Sequence, residues 1–281
     1  MGIKVTKMQG CGNDFVIIDY DEFIKLNMKI TDAAKMLCDR HFGIGADGLI
    51  IPNTSCDEAD IGWFFYNSDG STAQMCGNGM RCFAKYAYDN KLVDKKIFSV
   101  KTLAGIIKPE ILADGLVRVN MSQPILEPEK IPFIPHRNLN YKMSVKNMIF
   151  DGNAISMGNP HFVIFVSPED DVMEFAKEYG PIIETSAEFP EKTNVEFVKI
   201  KSYRKIELAV WERGCGITLA CGTGACASVI AGILNGYIEN SVEVQLPGGV
   251  VNVLWNGTSE EPVGDVFLSG PAEYVFNAEL A

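Results

Sequence analysis

Apolar residues recur along this chain with two periods. Short runs rich in Phe, Ile, Val and Tyr, namely Asp14–Tyr20, Ile61–Tyr66, Ile97–Thr102 and Val117–Met121, are bounded by Gly, Asn and Asp and read as strands. Between and after them the period changes. Met80, Phe83, Ala84 and Ala87 fall at i, i+3, i+4 and i+7, as do Cys226, Val229, Ile230 and Ile233, so each set marks the apolar face of a helix. Asn235-Gly236 supplies a stop for the second helix. Thr31 and Asp32 read as caps of a helix through Asp39, and Ser167-Pro168 as the start of a comparable helix. The Pro-rich stretch from Pro124 to Pro135 reads as a linker.

The pattern repeats. Met75-Cys76-Gly77-Asn78-Gly79 returns as Ala220-Cys221-Gly222-Thr223-Gly224, an offset of 145 residues, and each Cys-Gly-x-Gly opens one of the two helices. Phe64-Phe65-Tyr66-Asn67 precedes Cys76 by the distance at which Ala209-Val210-Trp211-Glu212 precedes Cys221. Gly12-Asn13-Asp14-Phe15-Val16-Ile17 resembles Gly158-Asn159-Pro160-His161-Phe162-Val163-Ile164 with one residue inserted. The expected fold is α+β: two pseudo-symmetric domains from an internal duplication, each a mostly antiparallel sheet or barrel around a central helix, with the active site in the cleft between them. The halves are placed at 1–123 and 124–264, with a strand from 265–281 free to complete the first.

Composition narrows the classes of function. The net charge of −11 argues against nucleic-acid binding, which needs a basic surface. No apolar run approaches the roughly 20 residues that span a bilayer, and Met1-Gly2-Ile3-Lys4-Val5-Thr6 lacks the features of a signal peptide, so a cytoplasmic protein without a membrane partner is expected. Eight cysteines without a C-x-x-C spacing suggest free thiols and no metal site. Cys82 and Cys226 read as packing residues inside the helices, while Cys11, Cys38, Cys56 and Cys215 carry no assigned role.

Cys76 and Cys221 stand apart from the rest. A cysteine just before a helix meets unpaired N–H groups and the positive end of the macrodipole, a setting that lowers a thiol pKa from its usual value of about 8.5. The glycines that follow let backbone amides approach an anion such as a carboxylate. Two such turns in a duplicated chain suit stereoinversion at a carbon beside a carboxylate. One thiolate removes a proton from one face, one thiol returns a proton to the other, and helix-terminal amides stabilise the carbanion without a cofactor. Proton abstraction alpha to the carboxylate of a small molecule is the implied class of reaction. A thiol redox or metal-binding protein is the reading from a different class, and a homodimer is left open.

On these residues the chain resembles the diaminopimelate epimerase family, a pyridoxal-phosphate-independent group. The resemblance runs through Gly12-Asn13-Asp14-Phe15, Gly43-Ile44-Gly45-Ala46-Asp47-Gly48, Asn67-Ser68-Asp69-Gly70, Cys76-Gly77-Asn78-Gly79, Gly158-Asn159-Pro160-His161-Phe162, Thr193-Asn194-Val195, Glu212-Arg213-Gly214 and Ala220-Cys221-Gly222-Thr223-Gly224. It implies interconversion of LL- and meso-2,6-diaminopimelate in lysine and peptidoglycan precursor synthesis, with Cys76 and Cys221 as the bases and no cofactor. It further implies that His161 and Glu212 help set the proton state of the thiols. Substrate contacts fall by resemblance on Asn13, Asn67, Gly77, Asn78, Asn159, Asn194, Glu212, Arg213, Gly222 and Thr223. Gly48, Gln74 and Ile217 depart from the commoner pattern of the family. Proline racemases and hydroxyproline epimerases resemble the same architecture but typically carry His where Asn78 stands, so an epimerase of another amino acid is the nearer alternative.

Overall fold

The computed structural model describes residues 2–72 and 75–280. In chain order its principal elements are β1 (Ile3–Gly10), β2 (Asn13–Ile17), α1 (Tyr20–Phe23), α2 (Ile30–Cys38), β3 (Gly48–Asn53), β4 (Ile61–Asn67), α3 (Gly77–Asp89), β5 (Val100–Thr102), β6 (Gly105–Ile107), β7 (Glu110–Ile111), β8 (Val117–Asn120), β9 (Tyr141–Val145), β10 (Met148–Ser156), β11 (Pro160–Phe165), α4 (Val172–Glu184), β12 (Asn194–Ser202), β13 (Lys205–Glu212), β14 (Gly216–Ile217), α5 (Gly222–Leu234), β15 (Ser241–Leu246), β16 (Gly249–Trp255), β17 (Val266–Gly270) and β18 (Glu273–Leu280). They form two compact units, Met1–Asn120 with Ser269–Ala281, and Met121–Leu268.

In the first unit the strand order is β18-β1-β2-β3-β4-β5-β6. The sheet is mixed, because β2 pairs β3 and β4 pairs β5 in parallel while the other neighbours are antiparallel. Among the described residues its two edge strands do not pair, so it is an open sheet rather than a barrel. Helix α3 packs on β1, β2 and β3, and Met80, Phe83, Ala84 and Ala87 are all fully buried, as the helical spacing requires. A second core on this unit joins Val16, Ile18, Leu49 and Ile51 to Ala33, Ala34 and Leu37 of α2.

The second unit repeats the plan in the order β17-β16-β15-β13-β12-β11-β10-β9, with β14 against β13. Parallel pairs are again present, β11 with β12 and β13 with β15. Helix α5 packs on β10, β11, β12 and β16 and is buried from Gly224 to Ile233 on every side, so Ala225, Ala227 and Ala231 are as enclosed as Val229 and Ile230. Small residues let it approach its neighbours: a Cβ at Gly232 would stand 2.5 Å from Ile238 Cδ1. Asn235 caps α5 and Gly236 follows with φ +70°, the stop expected of Asn-Gly.

Two helix starts differ from expectation. Helix α2 begins at Ile30 after Lys29, which makes no side-chain cap, and Thr31 and Asp32 lie inside its first turn, where Asp32 acts on the positive helix end by charge instead of by capping. The comparable helix α4 starts at Val172. Asp171 caps it by accepting from the N–H groups of Met173 and Glu174, while Ser167-Pro168 forms a preceding turn closed by Asp170. Two carboxylate-accepted N–H bonds satisfy more of the free helix end than a Ser-Pro pair can. Strand β2 also stops at Ile17, and Tyr20 starts α1. Among the described residues no helix is long and apolar enough to cross a membrane.

Candidate active site

In the first unit Cys76 is the N-cap of α3, held at φ −139° and ψ 118°, and its sulfur accepts the Gly79 N–H at 3.4 Å. The same thiol reaches Asn13 Oδ1 at 3.5 Å, and that oxygen also accepts from Asn78 Nδ2 at 3.2 Å. Asn13 is aimed by a charged lattice behind it. Its Nδ2 donates to Asp47 Oδ2 at 2.6 Å, Asp47 and Asp14 each accept the other's backbone N–H, and Arg40 bridges both carboxylates. Lys7 closes the set with Asp14 at 2.7 Å. Burial pushes Asp14 upward, but the hydrogen bonds from Arg40 and Lys7 prevail and hold it below the usual carboxylate range.

Gly77 is the first helical residue, with its amide at the helix mouth. Asn67 ends β4 opposite Gly48, and its Nδ2 donates to Ser71 Oγ at 3.0 Å. Gly48 has no room for a side chain: a Cβ there would lie 2.7 Å from Phe65 Cε2 and 2.9 Å from the Tyr66 carbonyl oxygen. Gln74 lies outside the described residues. The floor beneath the Cys76 turn is aromatic, since Phe15 meets the Gly79 Cβ position at 3.4 Å and stacks edge-on with Phe65.

In the second unit Cys221 is the N-cap of α5, and its sulfur accepts the Gly224 N–H at 3.4 Å, the same value as its counterpart. Its surroundings are polar. Thr223 Oγ1 lies 3.5 Å from the sulfur and accepts from Asn159 Nδ2 at 3.4 Å, while Asn159 Oδ1 faces His161 Nε2 at 3.0 Å. His161 Nδ1 meets Glu196 Oε1 at 2.7 Å, with both side chains fully buried. Glu212 ends β13 and accepts from the Thr218 hydroxyl. Burial pushes Glu212 up from the usual carboxylate range, and the Thr218 bond and His161 oppose it only in part.

The expectation that a helix N-terminus favours thiolate does not hold at Cys221. Burial, then the nearby carboxylates of Glu212 and Glu196, push its pKa well above 9.0, and the hydrogen bonds from Thr223 and Gly224 do not offset them. These surroundings therefore favour the thiol form of Cys221. Gly222 opens the helix beside it. Asn194 and Arg213 form a separate group: Asn194 Oδ1 accepts the Arg213 N–H at 2.9 Å, its Nδ2 donates to the Pro160 carbonyl, and the exposed Arg213 guanidinium donates to the Glu191 carbonyl. Ile217 lies on β14 opposite Trp211.

Strand registers correct the alignment of the two halves. Phe15 pairs with Gly48 across parallel β2 and β3, and Gly48 with Asn67; His161 pairs with Asn194 across β11 and β12, and Trp211 with Val195 as Tyr66 does with Leu49. His161 thus takes the place of Phe15 and no residue is inserted between Gly158 and His161, while Glu196 takes the place of Ile50. Glu196, a carboxylate in the otherwise apolar run Val195–Val198, is a residue of this site that sequence reasoning missed. Its Oε1 fills the space where a Cβ at Gly224 would come within 2.7 Å, so that glycine is required for the carboxylate to sit under the first turn of α5.

Comparison with known proteins adds a family. The sequence profile described as diaminopimelate epimerase matches residues 5–127 and 153–275, one match to each repeat. The chain is 49% identical over 281 residues to the diaminopimelate epimerase of Carboxydothermus hydrogenoformans, covering 99% of both chains, and 41% identical over 288 residues to that of Methanococcus maripaludis, again covering 99% of both. Among solved structures, a probable proline racemase from Agrobacterium radiobacter with bound carbonate matches with a TM-score of 0.70 at 12% identity, over 99% of this chain and 93% of the other. A phenazine biosynthesis protein of the PhzF family from Bacillus anthracis matches with a TM-score of 0.67 at 15% identity, over 100% and 99%. These two likenesses concern the fold alone.

Proposed function

The chain belongs to the diaminopimelate epimerase family, and on that premise we propose that it inverts one stereocentre of LL-2,6-diaminopimelate to give the meso isomer, using Cys76 and Cys221 as a thiolate and thiol pair. The observation that carries this reading is the twofold recurrence of one device: a cysteine N-cap whose sulfur accepts the N–H of the glycine three residues on, at 3.4 Å in each unit. The reading requires a bound substrate to meet both turns, one sulfur on each face of its α-carbon.

Burial and the carboxylates of Glu212 and Glu196 raise Cys221, which suits it to the role of acid in the first passage, with Cys76 as the base. The Cys76 thiolate takes the α-proton, the electron pair of the broken C–H bond stays on carbon beside the carboxylate, and the Cys221 S–H delivers its proton to the opposite face. The products are the inverted amino acid, a Cys76 thiol and a Cys221 thiolate, so charge and protons balance and the reverse reaction starts from this state. Backbone amides of Gly77-Asn78 and Gly222-Thr223 are proposed to hold the carboxylate as charge develops. Asn13, Asn78 and Asn159 offer both donor and acceptor atoms to a zwitterion, with Asn67, Asn194, Glu212 and Arg213 as further contacts carried by the family. In the cell this serves lysine and peptidoglycan precursor synthesis. Incubation with LL-diaminopimelate, followed by chiral chromatography, should show conversion to the meso form and none of proline to its enantiomer; inversion of proline with none of diaminopimelate would overturn the substrate assignment.

A further inference from the structure

The buried polar groups behind Cys221 form a chain with a direction. Asn159 Nδ2 donates to Thr223 Oγ1, which leaves the Asn159 carbonyl oxygen facing His161 Nε2, so that nitrogen carries a hydrogen. On the other side of the ring Nδ1 faces Glu196 Oε1 at 2.7 Å. Both ring nitrogens thus meet oxygens, and ring and carboxyl hold two protons between them, which keeps this fully buried pair electrically neutral. Thr223, having accepted from Asn159, has its own hydrogen free to donate to the Cys221 sulfur 3.5 Å away. Read from the far end, Glu196, His161, Asn159 and Thr223 each donate toward or align the next group, and the last donor falls on Cys221.

We propose that Glu196 is a positioning residue that fixes the direction of this hydrogen-bond chain, so that Thr223 donates to the Cys221 sulfur whenever it becomes a thiolate. The proposal rests on the reading of Cys221 as an acid–base group. Without the Glu196 carboxylate, a neutral His161 tautomer with hydrogen on Nδ1 alone becomes available. Its bare Nε2 would then turn the Asn159 amide, present the Asn159 oxygen to Thr223 and draw the Thr223 hydrogen away from sulfur. Three titratable groups face this region: Glu196 from β12, Glu212 from β13 and His161 from β11. Glu196 Oε2 has no partner among the described residues, so the carboxylate serves the His161 contact through Oε1 alone.

The test compares wild type with Glu196→Gln and Glu196→Ile by nitrogen-15 NMR of the histidine rings, carbon-13 NMR of cysteine Cβ across pH, and steady-state kinetics. His161 is the buried histidine, and His41 and His136 are exposed, so solvent access tells their resonances apart. In wild type His161 Nε2 should carry the hydrogen that it donates to Asn159. In Glu196→Gln the His161 Nε2 should lose its hydrogen, kcat should fall roughly tenfold with KM little changed, one hydrogen bond to a thiolate being worth about that factor, and the Cys221 Cβ titration should not move down although a nearby carboxylate that raises it has gone. Glu196→Ile, which copies the first unit, should give the same cysteine result. A His161 Nε2 without hydrogen in wild type, or a Cys221 titration that moves down in both variants, would overturn the proposal. The NMR results stand whether or not the chain epimerises diaminopimelate, so failure of the proposed function would be seen separately in the wild-type assay.

Discussion

The two cysteine turns share backbone and differ in what lies beneath them. Under Cys76 the matched strand positions carry Phe15 and Ile50, and the polar contacts come from the side, through Asn13 and its lattice of Asp47, Asp14 and Arg40. Under Cys221 the same positions carry His161 and Glu196. A duplicated fold has kept the helix N-cap geometry twice and given only one copy a buried ionisable floor. That division matches the proposed chemistry, in which two sulfurs of equal placement must start the cycle in different protonation states.

The largest effect expected is on the cysteines themselves. Cys76→Ala or Cys221→Ala should lower epimerisation at least about 10³-fold, within the range ascribed to a positioned acid or base, while circular dichroism and the melting transition change little. Equal retention of activity in either variant would erase the proposed division of labour.

Next comes the floor. His161→Phe copies the first unit's ring but leaves the Glu196 carboxylate buried without its partner, and should cost about 3–5 kcal/mol in denaturant unfolding. Adding Glu196→Ile should recover most of that loss, because an apolar pair of matched shape replaces a buried ionic one, yet epimerisation should stay low. If the double variant is no more stable than the single, the two floors are not interchangeable and the register-based comparison fails.

A smaller effect concerns proton affinity. Burial and two carboxylates raise Cys221 above 9.0, so its protonated form prevails through neutral pH and thiolate appears only at higher pH. Its Cβ resonance should keep the thiol position at pH 8, and Glu212→Ala should bring the conversion down the pH scale by about one unit, as loss of a nearby like charge does. The smallest effect is on stability. Glu212 is raised in the folded state, so its protonated form favours the fold at low pH, and that contribution is lost as pH rises through its folded value. Glu212→Gln keeps the neutral form and the Thr218 contact, and should stabilise the protein at pH 7 by about 0.5–1 kcal/mol relative to wild type, measured by denaturant melts, while removing activity.

Much of this was legible in the chain before its structure. The Cys-Gly-x-Gly turns, the 3.6-residue faces of α3 and α5 and the Asn235-Gly236 stop follow from local chemistry, which depends on neighbours a few residues apart. What stayed hidden depends on partners far along the chain. The Asp14–Arg40–Asp47 lattice assembles from a strand, a turn after α2 and the approach to β3. Glu196 looked like one polar residue in an apolar strand, and only the register of β12 against β11 puts it beside His161. Its signal was present in the duplication, as a carboxylate where the other half carries Ile50, but reading one residue as inserted shifted β11 by one position, and a one-residue slip turns each side chain to the opposite face.

The central claim is that the proton removed and the proton returned belong to different sulfurs. LL-diaminopimelate incubated with the wild-type protein in deuterium oxide, quenched at low conversion and separated by isomer, tests it directly by mass spectrometry. The account predicts one deuteron at the inverted carbon of the meso product while the remaining LL substrate stays unlabelled. A meso product that retains the original protium would mean that one group carries the same proton across, and would contradict it.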